Sequence, residues 1–504
     1  MKLKSVIAVF MLVACIFTFL PTSVSADDET IKTITTGDPS LKAPTKAEIA
    51  AAKQNITQPT AAFEEAPSVF APYATGKLHD SFLQNGEDYL NYIRYVAHLP
   101  EIQLADDLND NAQHGAVVLA ALDELTHYPN RPSDMEEAFY QAGYKATTSS
   151  NIGYGYTNLQ DHLQGCMDDT SSLSNLLCLG HRRWLLSSRL LNVGFGYAKD
   201  KHPFTVTKVF DRSGPWIDYD AITWPAGGNM PAEMFNYDVP WSITLNSRFY
   251  EADDSDLEIR VINQTTGETW VFDENTAHTP VETDAYCLME NSGYGDGAIT
   301  LIFRPDISDY FTYRGIYTVE IHDVYDKKSK EEVVLTYDVD FFDTNEHHPL
   351  EIKEQPMDQY AERGETATVS ITASGWDLKY CWFIKEPGDQ EFVPTDATTT
   401  KYSLTVTNLT NGTQLYCEVT DSNGVSIRSD VVTIHCTNPV ENPGDMDGNE
   451  RVDNRDVEYL LWYTLFPNDY PLLSFGDFDN NGIVNNKDVE YLLWHTLFPN
   501  DYPL

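Results

Sequence analysis

Hydrophobic and polar positions follow two different patterns along this chain, one typical of helices and one typical of short strands. Between residues 78 and 200, helical patterns of apolar side chains alternate with Gly-rich turns. Short runs of strand-forming residues, separated by Asp, Asn and Gly turns, fill residues 201–345 and again residues 351–437. Helical patterns return in residues 443–504. The chain is therefore predicted to be multidomain, with one α+β domain, two β-sandwich domains and a small all-α domain.

The second strand-rich region, residues 351–437, has the spacing of an immunoglobulin-type sandwich. Trp382 follows Cys381 in a strand C candidate, and Cys417 lies in a strand F candidate. The strand B candidate, Thr368–Thr372, has no cysteine to pair with Cys417. Cys381 should point to the opposite face of its strand from Trp382, so a Cys381–Cys417 bridge is disfavoured. We expect this immunoglobulin-like domain to be a spacer or a weak ligand module.

The first 26 residues have the pattern of an export signal. Two lysines precede an apolar run from Val6 to Leu20, and Val24-Ser25-Ala26 offers a small-residue cleavage site. A lipoprotein signal centred on Cys15 is the alternative, but the apolar run continues past that residue. Residues 27–77, rich in Thr, Ala and Pro, are predicted to be a linker or pro-segment. No later stretch of the sequence is long and apolar enough to span a membrane.

Composition narrows the choice of partners and compartment. The formal net charge of −44 argues against nucleic acid and anionic membrane surfaces as partners, because like charges repel. Six of the seven cysteines follow the signal, too few for a disulfide scaffold in a chain of 504 residues. Cys166 and Cys178 are the best candidates for a bridge because they are closest in sequence. These features predict a secreted, extracellular protein.

A segment repeated after 32 residues carries the strongest sequence signal. Residues 445–456 (loop 1) and 477–488 (loop 2) each place oxygen-bearing side chains at positions 1, 3, 5, 9 and 12, the spacing that wraps Ca²⁺. The backbone carbonyl of position 7 adds one more ligand. The predicted calcium ligands are Asp445, Asp447, Asn449, Arg451, Asp453 and Asp456 in loop 1, and Asp477, Asp479, Asn481, Ile483, Asn485 and Asp488 in loop 2. Glu450 stands where loop 2 has Gly482, which predicts strain in the sharp turn of loop 1.

The two loops, each with aspartate at position 12 and an almost identical helix after it, resemble a type I dockerin over residues 443–504. That resemblance implies two calcium ions and a cohesin domain of a scaffold protein as the partner. In the family, loop positions 10 and 11 contribute to recognition. The cohesin-binding residues predicted here are Asn454, Arg455, Trp462, Tyr463, Asn486, Lys487, Trp494 and His495. Because the two copies match so closely, either could face the partner.

Each helix after a loop carries two apolar stripes. In the first copy the stripes are Val457, Leu460, Leu461 and Leu465, and Tyr459, Trp462, Tyr463 and Phe466. A module this small cannot bury both stripes, so one is predicted to be core and the other a partner surface. The alternative is that the aromatic residues pack on the repeated Phe-Pro-Asn-Asp-Tyr-Pro-Leu tails.

An ordered set of motifs marks the first domain, residues 78–200. In chain order they are Asn111-Ala-Gln-His114, Leu125-Thr-His127-Tyr-Pro, Asn151-Ile-Gly-Tyr-Gly, Gly180-His181-Arg-Arg-Trp184 and Val193-Gly-Phe-Gly-Tyr. This order resembles the CAP superfamily of secreted, SCP-like proteins. The resemblance implies an α-β-α sandwich with a central cleft that can bind a divalent cation.

The CAP resemblance implies that His127 and His181 lie in that cleft, as candidates for catalysis or for a divalent cation. The acidic positions of the family map onto Ser150 and close to Gln164, so both acids are lost. Nearby acids that could substitute are Asp161, Asp168 and Asp169. Two imidazoles make only part of a zinc site, and a histidine base normally needs a carboxylate beside it. Ser150 paired with either histidine is a weaker catalytic candidate, because it lacks the context of a nucleophile elbow.

Three functions remain open from the sequence. The first is a secreted, cellulosome-type component that docks onto cohesin and displays a CAP-like domain with a ligand- or metal-binding cleft. The second is an extracellular hydrolase in polysaccharide or cell-wall degradation, and the third is a structural or adhesive protein. Alternatively, His127 and His181 are only buried, hydrogen-bonded framework residues. A carboxylate close to either histidine would favour an enzyme.

Overall fold

The computed structural model describes residues 30–253, 257–281, 283–345, 349–362, 364–406, 410–422, 424–437, 443–472, 476–479 and 481–504. The predicted signal and the candidate lipidation site Cys15 lie outside these residues. The chain divides into two compact units, Met1–Pro44 with Ala52–Asp343 and Thr45–Ala51 with Thr344–Leu504. Every helix in the described residues is too short or too polar to span a bilayer.

Strands dominate the first unit. They are β1 (Thr30–Thr33), β2 (Phe63–Glu65), β3 (Lys77–Leu78), β4 (Gln103–Leu104), β5 (Asn151–Tyr154), β6 (Asn192–Lys199), β7 (Pro203–Lys208), β8 (Ala221–Trp224), β9 (Gly228–Pro231), β10 (Trp241–Leu245), β11 (Tyr250–Ala252), β12 (Ile259–Asn263), β13 (Thr269–Phe272), β14 (Tyr286–Glu290), β15 (Thr300–Arg304), β16 (Gly315–Asp326) and β17 (Glu331–Phe342). The second unit contains β18 (Glu351–Glu354), β19 (Gln359–Ala361), β20 (Thr366–Ser370), β21 (Thr372–Ser374), β22 (Lys379–Lys385), β23 (Val393–Pro394), β24 (Lys401–Thr405), β25 (Gln414–Thr420), β26 (Ser426–Arg428) and β27 (Val432–Cys436). The α-helices are α1 (Lys46–Gln54), α2 (Asp80–Val96), α3 (Asp106–Leu122), α4 (Glu137–Thr147), α5 (Leu159–Asp168), α6 (Leu173–Cys178), α7 (Gly180–Leu185), α8 (Asn454–Leu465) and α9 (Asn486–Leu497).

A four-stranded sheet in the order β4-β6-β7-β5 forms the middle layer of the first domain. Helix α3 lies directly on β6, because Gly196 has no side chain; a β carbon there would be 2.2 Å from the Ala112 carbonyl oxygen. Alternate residues of β6 point to the other face, where Tyr197 contacts Phe82 of α2 at 5.1 Å between ring centroids. The α-β-α layering implied by the sequence resemblance is therefore confirmed in this domain.

Strand β7 extends this domain beyond its predicted end at residue 200. It pairs antiparallel with both β6 and β5, so residues 203–208 are part of the three-layer sandwich. All six residues of β7 are buried. For this reason the sequence pattern of β7 is the same as that of the strand-rich region that follows it, and sequence alone assigned it to that region. The sheet of this domain thus extends to residue 208, past the predicted boundary at residue 201.

The β-sandwich of residues 221–342 has two sheets. One has the order β1-β17-β16-β12-β13, with β11 beside β16 and β9 beside β17, and the other has the order β14-β15-β10-β8. Aromatic side chains fill its core. Tyr313 stacks on Phe341 at 4.8 Å between centroids and accepts a 3.0 Å hydrogen bond from Trp241 Nε1. The predicted β-sandwich is confirmed.

The segment predicted as a linker, residues 27–77, differs from that expectation wherever it is described. Strand β1 pairs in parallel with β17 and so completes a sheet of the β-sandwich. Further along, Phe63 of β2 stacks on Tyr197 at 5.4 Å between centroids. Runs such as Thr30-Ile-Lys-Thr supply an edge strand although the surrounding composition is that of a linker.

The described part of residues 349–437 forms an immunoglobulin-type sandwich. One sheet has the order β19-β27-β25-β22-β23, with β26 beside β25, and the other strands pair as β20-β24 and β18-β21. Trp382 of β22 is fully buried opposite Cys417 of β25, and its Nε1 donates to the Thr399 carbonyl at 2.9 Å. Cys381 and Cys417 are both free thiols, in agreement with the predicted lack of a bridge.

The expected Cys166–Cys178 bridge is absent from the described residues, since both cysteines are free thiols. Cys166 is buried near the end of α5, where its sulfur lies 3.8 Å from His162 Nε2. Cys178 ends α6, and its thiol donates to the Ser174 carbonyl at 3.1 Å. Closeness in sequence does not bring these two side chains together, because each belongs to a different helix.

Candidate functional site

Loops 1 and 2 each gather three carboxylates. Ligand oxygens of Asp445, Asp447 and Asp456 lie within 4.8 Å of one another, and the same holds for Asp477, Asp479 and Asp488. Among the described residues, these are the two groups of three or more metal-ligating side chains. Three carboxylates this close repel one another unless a cation lies between them.

The carboxylate at position 12 is held by the backbone of its own loop. Asp456 Oδ1 accepts hydrogen bonds from Met446 N at 2.6 Å and Asp447 N at 3.1 Å, and Asp456 Oδ2 accepts from Asp453 N at 2.7 Å. In loop 2, Asp488 accepts from Phe478, Asp479 and Asn485 at 2.7, 3.2 and 2.8 Å. Each of these aspartates also completes a capping box at the N-terminus of α8 or α9. The helices therefore orient the loops.

The remaining predicted side-chain ligands accept hydrogen bonds from backbone amides of their own loops. The side chains of Asn449 and Asn481 accept from the backbone N–H two residues further on at 3.0 Å, so positions 7, Arg451 and Ile483, are tied into the same turn. Asp453 and Asn485 serve as N-caps and accept from the amides of Arg455 and Lys487 at 2.8 and 2.9 Å. The full six-ligand set stays a prediction.

The backbone at the sharp turn follows the predicted pattern. Glu450 has φ +68° and Gly482 has φ +84°, so both occupy the left-handed region. A β carbon makes this region unfavourable for Glu450 and costs nothing at Gly482. The expected difference between the two loops is confirmed in their geometry.

The apolar stripes of α8 and α9 are divided differently from the prediction. Leu460 and Leu492 are buried with Met446, and Tyr459 and Tyr463 pack against them. The exposed face contains Leu461, Trp462, Leu465 and Phe466 in α8 and its end, and Leu493, Trp494, Leu497 and Phe498 in the second copy. We call this face the exposed stripe. Leu461 and Leu465 were expected in the same stripe as the core residue Leu460, but the turn of the helix places them outside.

The predicted partner residues fall into three groups. Trp462 and Trp494 are each 38% exposed, and each stacks on a tail tyrosine, Tyr470 or Tyr502, at about 6 Å between centroids. Arg455 and Lys487 are exposed, whereas Asn454 and Asn486 each accept a 3.3 Å hydrogen bond from a threonine of the other helix. Tyr463 faces the core, and His495 Nδ1 lies 2.6 Å from the Tyr502 carbonyl oxygen. Tyr463 and His495 therefore make contacts within the module and lie behind the residues predicted to contact the partner.

In the CAP-like domain, His181 has a carboxylate partner. Its Nδ1 lies 2.7 Å from Oδ1 of Asp169, whose side chain is fully buried. Asp169 also accepts from the His181 amide at 2.9 Å and from Asn175 Nδ2 at 2.8 Å. A carboxylate bound to Nδ1 keeps the proton there and leaves Nε2 as the basic nitrogen. Asp169, one of the three nearby acids expected to substitute, supplies the carboxylate that Ser150 and Gln164 lack.

His127 and Ser150 have other partners. His127 Nδ1 lies 2.6 Å from the Thr147 carbonyl oxygen, and the Ser150 hydroxyl donates to the Ala146 carbonyl at 2.6 Å. Within the described residues, Ser150 has no hydrogen bond with either histidine. A Ser150–histidine pair is therefore not formed, because the serine closes the last turn of α4 instead. Neither histidine belongs to a group of three metal-ligating side chains there, so a cation at His127 and His181 stays a proposal.

Asn175 and His162 were not singled out from the sequence, and Asn151 was named only as the start of a motif. Asn151 donates to the His181 carbonyl at 3.0 Å and Asn175 orients Asp169. His162 is completely buried, with Nε2 2.9 Å from the Thr207 hydroxyl, and burial lowers its pKa to about 3. It is a neutral framework histidine. The amphipathic pattern of α5, with Leu159, Leu163 and Met167 on its buried side, could have identified His162 as buried.

Residues 87–210 match the family model of CAP, the cysteine-rich secretory protein family. Among solved structures, DIP-gamma IG1+IG2 is 14% identical, with 40% of this chain and 89% of that chain covered and a TM-score of 0.16. The N-terminal Ig1-2 module of the Drosophila receptor protein tyrosine phosphatase DLAR is 10% identical, with 40% and 90% covered and a TM-score of 0.15. The Clostridium thermocellum CbhA fibronectin(III)-like modules are 10% identical, with 18% and 100% covered and a TM-score of 0.13. No curated protein matches the chain.

The chain is thus multidomain, with a CAP domain in residues 87–210 and β-domains that include an immunoglobulin-type sandwich. The immunoglobulin assignment rests on strand order, because the TM-scores of the structural neighbours are too low to carry an argument. This combination of domains indicates an extracellular protein.

Proposed function

We propose that this protein is a secreted, scaffold-docked component, and that residues 443–504 form a calcium-dependent module of the type I dockerin kind. The observation that carries this proposal is the repeat of one loop-and-helix arrangement, with three converging carboxylates in each copy. Duplicated acidic loops beside duplicated exposed apolar faces are explained together by metal-dependent docking. An acidic surface without a metal would explain neither the repeat nor the shared backbone bonds.

The donor set fits calcium. Carboxylate, amide and carbonyl oxygens are hard ligands, and six to eight of them suit Ca²⁺. In loop 1 the ion would be held by Asp445, Asp447 and Asp456, completed by the other three predicted ligands. When bound, the cation supplies positive charge that offsets the repulsion of the carboxylates. Because position 12 lies in the first turn of α8 or α9, occupancy of each loop would set the orientation of its helix.

The docking surface would be the exposed stripe together with Arg455 and Lys487. Large apolar side chains exposed side by side on a small domain are typical of a partner interface. Both copies present the same side chains, so the partner, a cohesin domain in this proposal, could bind either helix. The CAP domain would then be displayed to a polysaccharide or cell-wall ligand.

A second candidate function, an extracellular hydrolase, is favoured by the His181–Asp169 pair. A buried carboxylate at 2.7 Å from Nδ1 is the arrangement that prepares Nε2 to accept a proton or bind a ligand. Replacing His181 with Ala would abolish such an activity. His162→Gln is the control, because an equal loss there would show that the effect is not specific to His181.

Calcium dependence is tested with the full-length chain. We expect chelation to change the far-ultraviolet circular dichroism of the protein and to abolish binding to an immobilised cohesin domain, and excess Ca²⁺ to restore both. A double variant, Asp456→Asn with Asp488→Asn, should behave like the chelated protein at all calcium concentrations. Unchanged cohesin binding in excess chelator would exclude the proposal.

The two-copy surface is tested by single and double replacements. Asn454→Ala with Arg455→Ala should leave cohesin affinity nearly unchanged, because the second copy remains. Adding Asn486→Ala and Lys487→Ala should lower the affinity by at least tenfold. Complete loss of binding in the single-copy variant would contradict the symmetric surface. The circular dichroism of each variant in excess Ca²⁺ is the control that its fold is unchanged.

A further inference from the structure

A cavity of about 460 Å³ opens in the CAP domain at the N-terminus of α3 and the end of β7. Its lining includes Ser149, Lys208, Phe210 and two acids, Asp107 and Asp211, but neither His127 nor His181. A cavity of this size takes a small organic ligand. It is separate from every residue that the sequence analysis or the proposed docking function uses.

Lys208, the last residue of β7, is buried beside this cavity without a counter-charge. Only 9% of the residue is exposed, and its Nζ donates to the Ser149 carbonyl at 3.0 Å and lies 2.6 Å from the Ser149 hydroxyl oxygen. Within the described residues it forms no ion pair with a carboxylate. Burial, with Lys145 nearby, lowers the pKa of Lys208 to about 8. A lysine in this state is an effective base.

Ser149 is held in the turn that follows α4. Its hydroxyl donates to the Lys145 carbonyl at 2.7 Å, which keeps the oxygen directed at Lys208. The residue is half-buried and lines the cavity, so a ligand inside can approach its oxygen. Nucleophile and base thus lie in hydrogen-bonding contact at the wall of one cavity, as nucleophilic catalysis requires.

We propose that Ser149 and Lys208 form a Ser–Lys catalytic pair that hydrolyses a carboxylic ester bound in this cavity. When Lys208 is neutral, the Ser149 hydroxyl rotates its proton from the Lys145 carbonyl to Nζ, and Lys208 takes that proton as Oγ attacks the ester carbonyl carbon. The bond from that carbon to the alcohol oxygen breaks, and the Lys208 ammonium gives its proton to the leaving alkoxide. Water then attacks the acyl-serine while Lys208 takes its proton; the acid is released, and the proton returns to Ser149.

The lining selects the kind of ester. Helix α3 begins at Asp106, and its N-cap residue Ala105, which lines the cavity, makes no side-chain cap. In this proposal an amide of the first turn of α3 would stabilise the developing oxyanion. Asp107 and Asp211 repel anionic substrates, so the ester should be neutral or cationic. Phe210, 37% exposed, gives an apolar wall for the acyl or alcohol group. An ester suits a two-residue site because an alkoxide leaves more readily than the unprotonated nitrogen of an amide.

The reaction should depend on pH through Lys208. Lys145 of α4 is the charged group whose field acts on Lys208, and Asp107 of α3 and Asp211 from the segment after β7 line the same cavity. Because the neutral amine is the active form, kcat/KM should rise with pH, be half-maximal at about pH 8, and then reach a plateau. Lys145→Met removes a positive neighbour, raises the pKa of Lys208 and should move the half-maximum to higher pH.

The test uses the full-length protein and p-nitrophenyl acetate, with a fluorophosphonate probe to label the nucleophile. Ser149→Ala and Lys208→Arg should each lower kcat/KM by about 100-fold or more. Arginine keeps the charge and the hydrogen bonds but cannot act as the base, so it separates catalysis from capping of α4. Thr148→Ala is the matched control, because its hydroxyl makes a similar bond, to the Tyr144 carbonyl at 2.9 Å, away from Lys208. It should retain wild-type kcat/KM.

Probe adduct on Ser149, found by peptide mass spectrometry of the wild-type protein, would support the pair even if a variant fails to fold. Absence of an adduct on Ser149, or wild-type activity in Lys208→Arg, would overturn the proposal. Cohesin binding measured on the same preparations reports on docking alone, so failure of one proposal is distinguishable from failure of the other.

Discussion

Asp168 and Asp169 are neighbours in sequence with opposite surroundings. Asp169 receives hydrogen bonds from the His181 ring, the His181 amide and Asn175, which all stabilise a negative charge. Asp168 is partly buried, and desolvation raises its pKa to about 6 although Gln164 donates to it at 2.7 Å. Only one of the two carboxylates is therefore well placed to serve His181 at neutral pH.

Replacing Asp168 with Asn should stabilise the protein at pH 7.5 and have little effect near pH 4. The folded-state pKa is raised above the unfolded value, so the charged side chain lowers stability progressively as pH rises from about 4 to about 6. Removing that charge should increase the free energy of unfolding by about 1–3 kcal/mol at pH 7.5. Urea unfolding at both pH values measures it. Asp169→Asn is the control of opposite sign, and equal gains at both pH values would contradict the assignment.

How far sequence pattern predicts the site is clearest in these same residues. His181 and Asp169 were both singled out, one by motif and one by proximity in sequence. Their contact could not be predicted, because it depends on α5 ending at Asp168 and α7 beginning at Gly180. The Ser149–Lys208 contact joins residues 59 positions apart, so no local sequence pattern could have predicted it.

At the level of elements, periodicity predicted helices and strands well and their boundaries less well. The glycines of Val193-Gly-Phe-Gly-Tyr reflect the close approach of α3 to β6, so a sequence motif reports a packing requirement. The stripes of α8 were divided wrongly because the sequence shows which residues share a helix face but not which face the partner helix covers. Because both faces of β7 are buried, its sequence pattern was assigned to the β-rich domain that follows.

Glu450 provides a test of backbone strain within one element. Because Glu450 has φ +68°, Glu450→Gly should raise the free energy of unfolding of residues 443–504 in calcium by about 1 kcal/mol. Gly482→Glu places the same side chain in loop 2 and should destabilise by a similar amount. Calorimetry of the full chain in saturating Ca²⁺ measures both. Glu450→Gln is the control for charge, and a gain equal to that of Glu450→Gly would show that φ is not the cause.

On the scale of the whole molecule, the CAP domain shares buried polar contacts with the β-sandwich of the same unit. Arg182 is fully buried, and its Nη1 donates to the Pro240 carbonyl at 2.7 Å and to the Ser242 hydroxyl at 3.1 Å. Arg183 donates to the Ala298 carbonyl at 3.3 Å, and the Ser187 hydroxyl donates to Asp296 at 2.7 Å. The family match ends at residue 210, so none of these acceptors belongs to it.

A fragment of residues 87–210 should therefore not fold alone, whereas residues 30–343 should unfold in one cooperative transition. Cutting at 210 removes the acceptors that Arg182, Arg183 and the Ser187 hydroxyl use in the β-sandwich. Each donor left unsatisfied costs about 1–3 kcal/mol, more for a charged one. That sum is comparable to the whole stability of a small domain. In the longer fragment, Arg182→Met should lower the free energy of unfolding by about 3 kcal/mol. Arg248→Met, which removes an exposed ion pair with Asp218 and a contact with the Phe249 ring, should change it little. A folded 87–210 fragment with native-like chemical-shift dispersion would show that the CAP domain is independent of the β-sandwich.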